Sequence, residues 1–185
     1  MRKIILASAS PRRKELLETA GAEFEILVAD VDETVPEGTL PEEAAKMTAE
    51  KKALAVAENN ADSIVIGADT IVVAGDKILG KPKNKADACE MLRMLSGVEH
   101  KVITGVCIAC GSKKTTFAQI SKVKFYDLTD AEIEAYVATN EPMDKAGAYG
   151  IQGKGCVLVE KIEGDYFNIV GLPVARVMRE IGKLM

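Results

Sequence analysis

One short segment concentrates groups that would hold a phosphate: Ser8-Ala9-Ser10-Pro11-Arg12-Arg13, between an expected strand and an expected helix. A helix N-terminus presents unpaired N–H groups and about half a positive charge. Small residues let an anion approach closely there. The hydroxyls of Ser8 and Ser10 add donors, and the guanidiniums of Arg12 and Arg13 add fixed charge and forked bonds. The plainer alternative is a helix capped by Ser10 whose arginines are solvated. Two adjacent arginines at the positive end of a helix are electrostatically unfavourable without an anion, which favours the anion site.

Four further segments carry chemistry. In Gly67-Ala68-Asp69-Thr70 an acidic residue ends an apolar run. Burying a carboxylate costs free energy unless something positive pairs with it, so Asp69 is a candidate metal ligand or general base; the alternative is a turn residue between two strands. Asp32-Glu33 in a loop adds a pair of carboxylates, and with Asp69 these would form an oxygen-rich site suited to Mg²⁺ or Mn²⁺. Lys81 lies in Gly80-Lys81-Pro82, outside any Walker pattern, and by itself reads first as a plain surface lysine, with a charge partner for a ligand as the alternative. Finally, Asp144 to Gly155 holds Gly147, Gly150, Gly153 and Gly155, which imply backbone shapes or close approaches that side chains forbid. Within it Gln152 offers one acceptor and two donors, enough to read a nucleobase edge. A polyphosphate, a divalent cation and a hydrogen-bonding edge are together satisfied by a nucleotide.

The elements that must position these residues alternate between strand and helix, which predicts a mixed α/β fold. Lys3–Ala7 reads as a strand, followed by a helix from Pro11 to about Gly21, then a strand at Phe24–Ala29. A polar loop, Val31–Leu40, leads to an Ala-rich helix from Pro41 to about Glu58. Ser63–Gly67 reads as a strand interrupted at Ala68-Asp69-Thr70, resuming at Ile71–Val73 and turning at Gly75-Asp76 toward Ile78-Leu79. Asn84 suits the cap of a helix ending near Gly97. Val102–Cys110 and Thr115–Tyr126 read as a hairpin through Gly111-Ser112. Thr129-Asp130-Ala131-Glu132 matches a capping box opening a helix to about Ala138. Val157–Ile162 reads as a strand, and Pro173 begins a last amphipathic helix. No repeat or linker divides the 185 residues, so residues 1–185 are expected to form a single domain, or one core with two lobes.

Composition narrows the classes. Hydrophobic residues are 48% and charged residues 28%, too apolar for disorder. The longest stretch free of Asp, Glu, Lys and Arg runs only from Val102 to Ser112, short of the about 20 residues of a membrane-spanning helix, so no membrane role is expected. The apolar start at Ile4 stops by Ala7, so no secretory leader is expected and the cytoplasm is the default compartment. A net charge of −4, aromatics at 4% and no Trp argue against a nucleic-acid binder. Cys89, Cys107, Cys110 and Cys156 read as reduced thiols. The Cys107-Ile108-Ala109-Cys110 spacing falls on a strand, where residues three apart face opposite sides, so metal or redox use is not expected.

Over nearly its whole length the sequence resembles the Maf (septum-formation) nucleotide pyrophosphatases. The matching elements are Ser8–Arg13 with Glu15-Leu16-Leu17, Asp32-Glu33, Lys52-Ala53, Gly67–Thr70, Leu79–Pro82, Leu95-Ser96-Gly97, His100 and Thr104-Gly105-Val106. Asp144–Gly153, Gly164-Asp165-Tyr166 and Asn168–Pro173 complete the set. The resemblance implies an elongated α/β fold like that of the inosine-triphosphate pyrophosphatases, with two lobes and a central cleft. It also implies metal-dependent hydrolysis of a nucleoside triphosphate to the monophosphate and pyrophosphate, in a homodimer. Asp69 falls on the proton acceptor; Arg12, Thr70 and Gln152 fall on positions tied to substrate choice and resemble the branch acting on dTTP and UTP. On this reading the triphosphate lies along Ser8, Ser10, Arg12 and Arg13, with Lys52, Lys81 and Lys145 as further charge partners, and Glu33 and Asp69 hold the Mg²⁺ or Mn²⁺. The rival is a non-catalytic nucleotide-binding regulator of septation.

Overall fold

The computed structural model describes residues 2–184. Its strands are β1 (Ile4–Leu6), β2 (Phe24–Ile26), β3 (Ile64–Ala74), β4 (Lys77–Leu79), β5 (Glu99–Cys110), β6 (Lys113–Phe125) and β7 (Val159–Glu163). Its helices are α1 (Pro11–Thr19), α2 (Pro41–Ala57), α3 (Lys85–Leu95), α4 (Asp130–Ala138), α5 (Tyr166–Val170) and α6 (Val174–Gly182). The sheet is mixed, in the order β2-β1-β3-β5-β6-β7, with β4 paired to β3. β1 runs parallel to both β2 and β3, while β3–β4 and β6–β7 are antiparallel. This is the mixed α/β architecture that the alternating sequence signals imply. Among the described residues no helix is long and apolar enough to cross a membrane.

The chain divides into two compact units. The first is Met1–Thr70, Thr104–Gln119 and Gly171–Met185; the second is Ile71–Ile103 and Ile120–Val170. In the first, Ile5, Val65 and Cys107 of the strands, with Ala7 just past β1, pack with Ala49, Ala53 and Val56 of α2. The alanines of α2 meet glycines on the strands. A Cβ on Gly67 would lie 2.2 Å from the Ala49 carbonyl oxygen and 2.7 Å from the Ala53 nitrogen. One on Gly105 would lie 2.2 Å from the Ala45 oxygen. The helix backbone therefore rests directly on β3 and β5, closer than any side chain would permit. The second unit has its own core, in which Leu92 and Leu95 of α3 pack with Phe125, Ile133, Tyr136 and Tyr149.

Local signals hold where local chemistry decides. Asn84 accepts the Asp87 N–H at 2.9 Å, and Thr129 with Glu132 makes both bonds of a capping box. Ser10 sits at the N-cap of α1, but its hydroxyl makes no cap hydrogen bond. β3 corrects a sequence expectation: it runs unbroken through Ala68-Asp69-Thr70. Asp69 is thus an interior strand residue, tolerated because a lysine pairs with it. β2 ends at Ile26 rather than Ala29. Three 3₁₀ turns, Glu141–Asp144, Ala146–Ala148 and Lys154–Leu158, shape the segment read from sequence only as glycine-rich. Cys107 and Cys110 are both buried and free, and burial pushes the Cys107 thiol up, away from reactive thiolate.

Candidate active site

Strand alternation places the central carboxylate. Gly67 faces α2, and Asp69, two residues on, shares that face. Lys52, beside Ala53 on α2, is therefore brought over Asp69, and its Nζ donates to Asp69 Oδ1 at 2.8 Å. The same ammonium lies 3.0 Å from Glu33 Oε1. Lys52 and Asp69 are only 16% and 19% exposed, whereas Glu33 is 57% exposed and open to solvent. Lys52, expected beside phosphates, thus bridges both candidate metal-binding carboxylates. The loop bearing Glu33 is itself pinned, because Lys51 Nζ donates to the backbone oxygens of Asp32 at 2.9 Å and Thr34 at 2.7 Å. Among the described residues no group of three or more His, Cys, Asp and Glu side chains is placed to hold a metal.

A second network surrounds Arg13. Its NH1 donates to Ser8 Oγ at 2.9 Å, its NH2 to Thr70 Oγ1 at 3.1 Å and its Nε to the Gly171 oxygen at 2.9 Å. Burial pulls the Arg13 pKa below its ordinary value; the Asp69 charge opposes that pull and the Arg12 charge adds to it. Arg13 nonetheless remains a cation. Ser8 Oγ also accepts the Ser10 N–H at 3.3 Å. Thr70 Oγ1 shares a 2.9 Å hydrogen bond with Thr104 Oγ1 and lies 3.4 Å from the Gly171 oxygen. The hydroxyl of Thr70 is thus engaged within the protein, chiefly on Arg13 and Thr104. With no acidic residue in the first turn of α1 and no side-chain cap, its N-terminal N–H groups can meet an anion.

The remaining residues lie in the second unit. Lys81 is exposed after β4, and the adjacent Gly80 oxygen accepts the Gly147 N–H at 3.0 Å. Lys145 donates to the Glu141 backbone oxygen at 2.6 Å and to Asp144 at 2.7 Å. Gln152 is exposed. His100, 2% exposed, shares a 2.8 Å hydrogen bond with the Tyr149 hydroxyl and packs edge-on against Phe125 and Tyr149. Burial lowers its pKa to about 4, so it is neutral. Sequence reasoning missed Thr104, the Gly171 carbonyl, Lys51, Glu141 and Tyr136. A threonine in an apolar strand and a backbone oxygen carry no local signal, and the lysine and glutamate look like ordinary surface charges.

An α/β fold whose first helix opens on serines and arginines, beside a lysine-bridged pair of carboxylates, is suited to holding phosphates. Residues 3–184 match the family model described as Maf-like protein. The chain is 58% identical over 181 residues to the dTTP/UTP pyrophosphatase of Bacillus anthracis (strain CDC 684 / NRRL 3495), covering 98% of this chain and 95% of that protein. It is 57% identical over 181 residues, with the same coverage, to the dTTP/UTP pyrophosphatase of Bacillus cereus (strain AH820). The chain belongs to the Maf-like family. Its fold is similar to that of a HAM1 protein from Coxiella burnetii, at TM-score 0.56 and 14% identity over 99% of this chain and 100% of the other. The Staphylococcus aureus Ham1 protein is also similar, at TM-score 0.53 and 16% identity over 97% and 100%.

Proposed function

We propose that this protein is a nucleoside triphosphate pyrophosphatase acting on dTTP and UTP, releasing the nucleoside monophosphate and pyrophosphate. The observation that carries the chemistry is the cluster of Asp69, Lys52 and Glu33, in which two carboxylates converge on one ammonium at 2.8 and 3.0 Å. The relatives' activity and the likeness of Arg12, Thr70 and Gln152 to the dTTP/UTP branch support the substrate.

Asp69 accepts the proton of a water that attacks the α-phosphorus, the α–β anhydride bond breaks, and pyrophosphate leaves with the bond's electrons. Ser8, Ser10, Arg12 and the N–H groups opening α1 bind the triphosphate, and Lys81 and Lys145 add charge. Arg13 keeps Ser8 and Thr70 in place while its cation offsets charge on the phosphates. Gln152 reads the base. Glu33 and Asp69 are hard oxygen donors brought to one cation, a set that fits Mg²⁺ or Mn²⁺ completed by water and phosphate oxygens. Such an ion would polarise the phosphoryl oxygens and neutralise developing charge. Residues 1–185 act as one functional domain on this reading, and a cytoplasmic homodimer rests on the family resemblance.

The test is pyrophosphate release by the purified protein from each common triphosphate, with Mg²⁺, with Mn²⁺ and with chelator. Release favouring dTTP and UTP, abolished by chelator and nearly abolished by Asp69→Asn with folding intact, is expected. Release that prefers a purine would sink the substrate assignment. Triphosphate binding without release would make the protein a nucleotide-binding regulator.

A further inference from the structure

We infer that Glu141 and Tyr136 are positioning residues for base discrimination, forming a rigid mount that holds the loop carrying Gln152. This deepens the proposed function and rests on its assignment of base reading to Gln152. The loop is tied on both sides of Gln152 by one carboxylate and one phenol. Glu141 Oε2 accepts the Lys154 N–H at 2.8 Å, and its Oε1 accepts the Gly155 N–H at 3.2 Å. The Tyr136 hydroxyl donates to Glu141 Oε1 at 2.9 Å and accepts the Gly150 N–H at 3.1 Å. The backbone oxygen of Glu141 takes Lys145 Nζ at 2.6 Å, so the same residue also anchors the start of the loop.

The glycines fit this mount rather than a mobile tether. A Cβ on Gly153 would lie 2.5 Å from both carboxylate oxygens of Glu141, and one on Gly155 would lie 2.7 Å from the Gly150 oxygen and the Tyr136 hydroxyl. Gly153 and Gly155 are therefore the positions where the backbone comes down onto the mount, Gly150 joins it through its N–H, and exposed Gln152 stands between Gly150 and Gly153. Burial works to raise the Glu141 pKa, but the N–H groups of Lys154 and Gly155 and the Tyr136 hydroxyl outweigh it, leaving the carboxylate below its ordinary value. The charged form is thus the one the loop grips, through charge-assisted bonds. Discrimination by hydrogen bonds to a base edge needs a reader held in place, since a reader free to swing satisfies itself with any base or with water.

Tyr136→Phe keeps the ring in the core and removes the donor to Glu141 and the acceptor for Gly150. Amide hydrogen exchange over Gly150–Gly155 should quicken by roughly tenfold or more. The kcat/KM preference for dTTP over dCTP should fall by about as much, chiefly through KM for dTTP. In the Gln152→Ala background Tyr136→Phe should add little further loss of preference, because both act through one reader. Should Tyr136→Phe prove poorly folded, Glu141→Gln, on a less buried residue, is expected to show the same paired change. Unchanged exchange, or quickened exchange with an intact dTTP preference, overturns the mount. If Gln152→Ala alone leaves the preference intact, the base-reading assignment has failed; a Tyr136→Phe loss of preference would then still uphold the mount, acting through another loop residue.

Discussion

Lys52 of α2 meets Asp69 of β3 at 2.8 Å, on the strand face where Gly67 lets the helix backbone touch the sheet. One contact therefore joins packing to chemistry: the alanine–glycine approach determines how far the ammonium stands from the carboxylate. Lys52→Met would leave Asp69 and Glu33 as neighbouring carboxylates without the ammonium that joins them. Removing one partner of a largely buried pair leaves the other's desolvation uncompensated. We expect kcat/KM for dTTP to fall by roughly tenfold to a hundredfold, with Lys52→Arg retaining more activity than Lys52→Met. Wild-type kcat/KM in Lys52→Met would show that the pair is structural ornament.

The glycine itself can be tested. Gly67→Ala drives a methyl toward the Ala49 oxygen at 2.2 Å, which is backbone and cannot rotate away. Overpacking of this kind costs about 1–3 kcal/mol. A drop in Tm together with lower kcat is expected as α2 moves off the strand. Gly182→Ala at the end of α6 meets nothing within 4 Å and should leave Tm unchanged or slightly raised. Equal effects of the two substitutions would contradict the close-approach argument.

How much of this was legible beforehand depended on the range of the interaction. The capping box at Thr129, the cap at Asn84 and the left-handed Gly97 are local, and sequence reading placed their helices. Asp69-Thr70 has turn-forming residue types, yet β3 continues through both because Lys52, Arg13 and Thr104 satisfy them from elsewhere in the chain. The same distance hid the Glu141–Tyr136 mount: its ties to Gly150, Lys154 and Gly155 follow no fixed spacing. Asp69 and Glu33 were legible as chemistry, whereas their sharing of one lysine was not.

Thr70 offers a separate test of what substrate-choice positions do. Its hydroxyl accepts from Arg13 NH2 and is hydrogen-bonded to the Thr104 hydroxyl, so its first effect is on Arg13. Thr70→Val preserves shape and removes that oxygen, leaving a guanidinium N–H and a buried threonine hydroxyl without it. A loss of about 1–2 kcal/mol is expected, seen as a Tm drop of roughly 2–8 °C. An unchanged Tm would show that the Arg13–Thr70 bond contributes nothing to folding.

His100 makes acid stability predictable. Its folded pKa of about 4 lies below the ordinary 6.5, because burial disfavours the imidazolium. The unfolded chain therefore binds a proton more readily than the native one between these values, and stability rises with pH across that window. The contribution is fully present above about pH 6.5 and is lost as pH falls toward 4, amounting at most to about 3 kcal/mol. Urea unfolding from pH 7.5 to 4 should show this decline in the wild type. In His100→Gln, which keeps a polar group near the Tyr149 hydroxyl and cannot take up the proton, the decline should be shallower by about that amount. Parallel curves for the two proteins would mean that other groups carry the acid sensitivity.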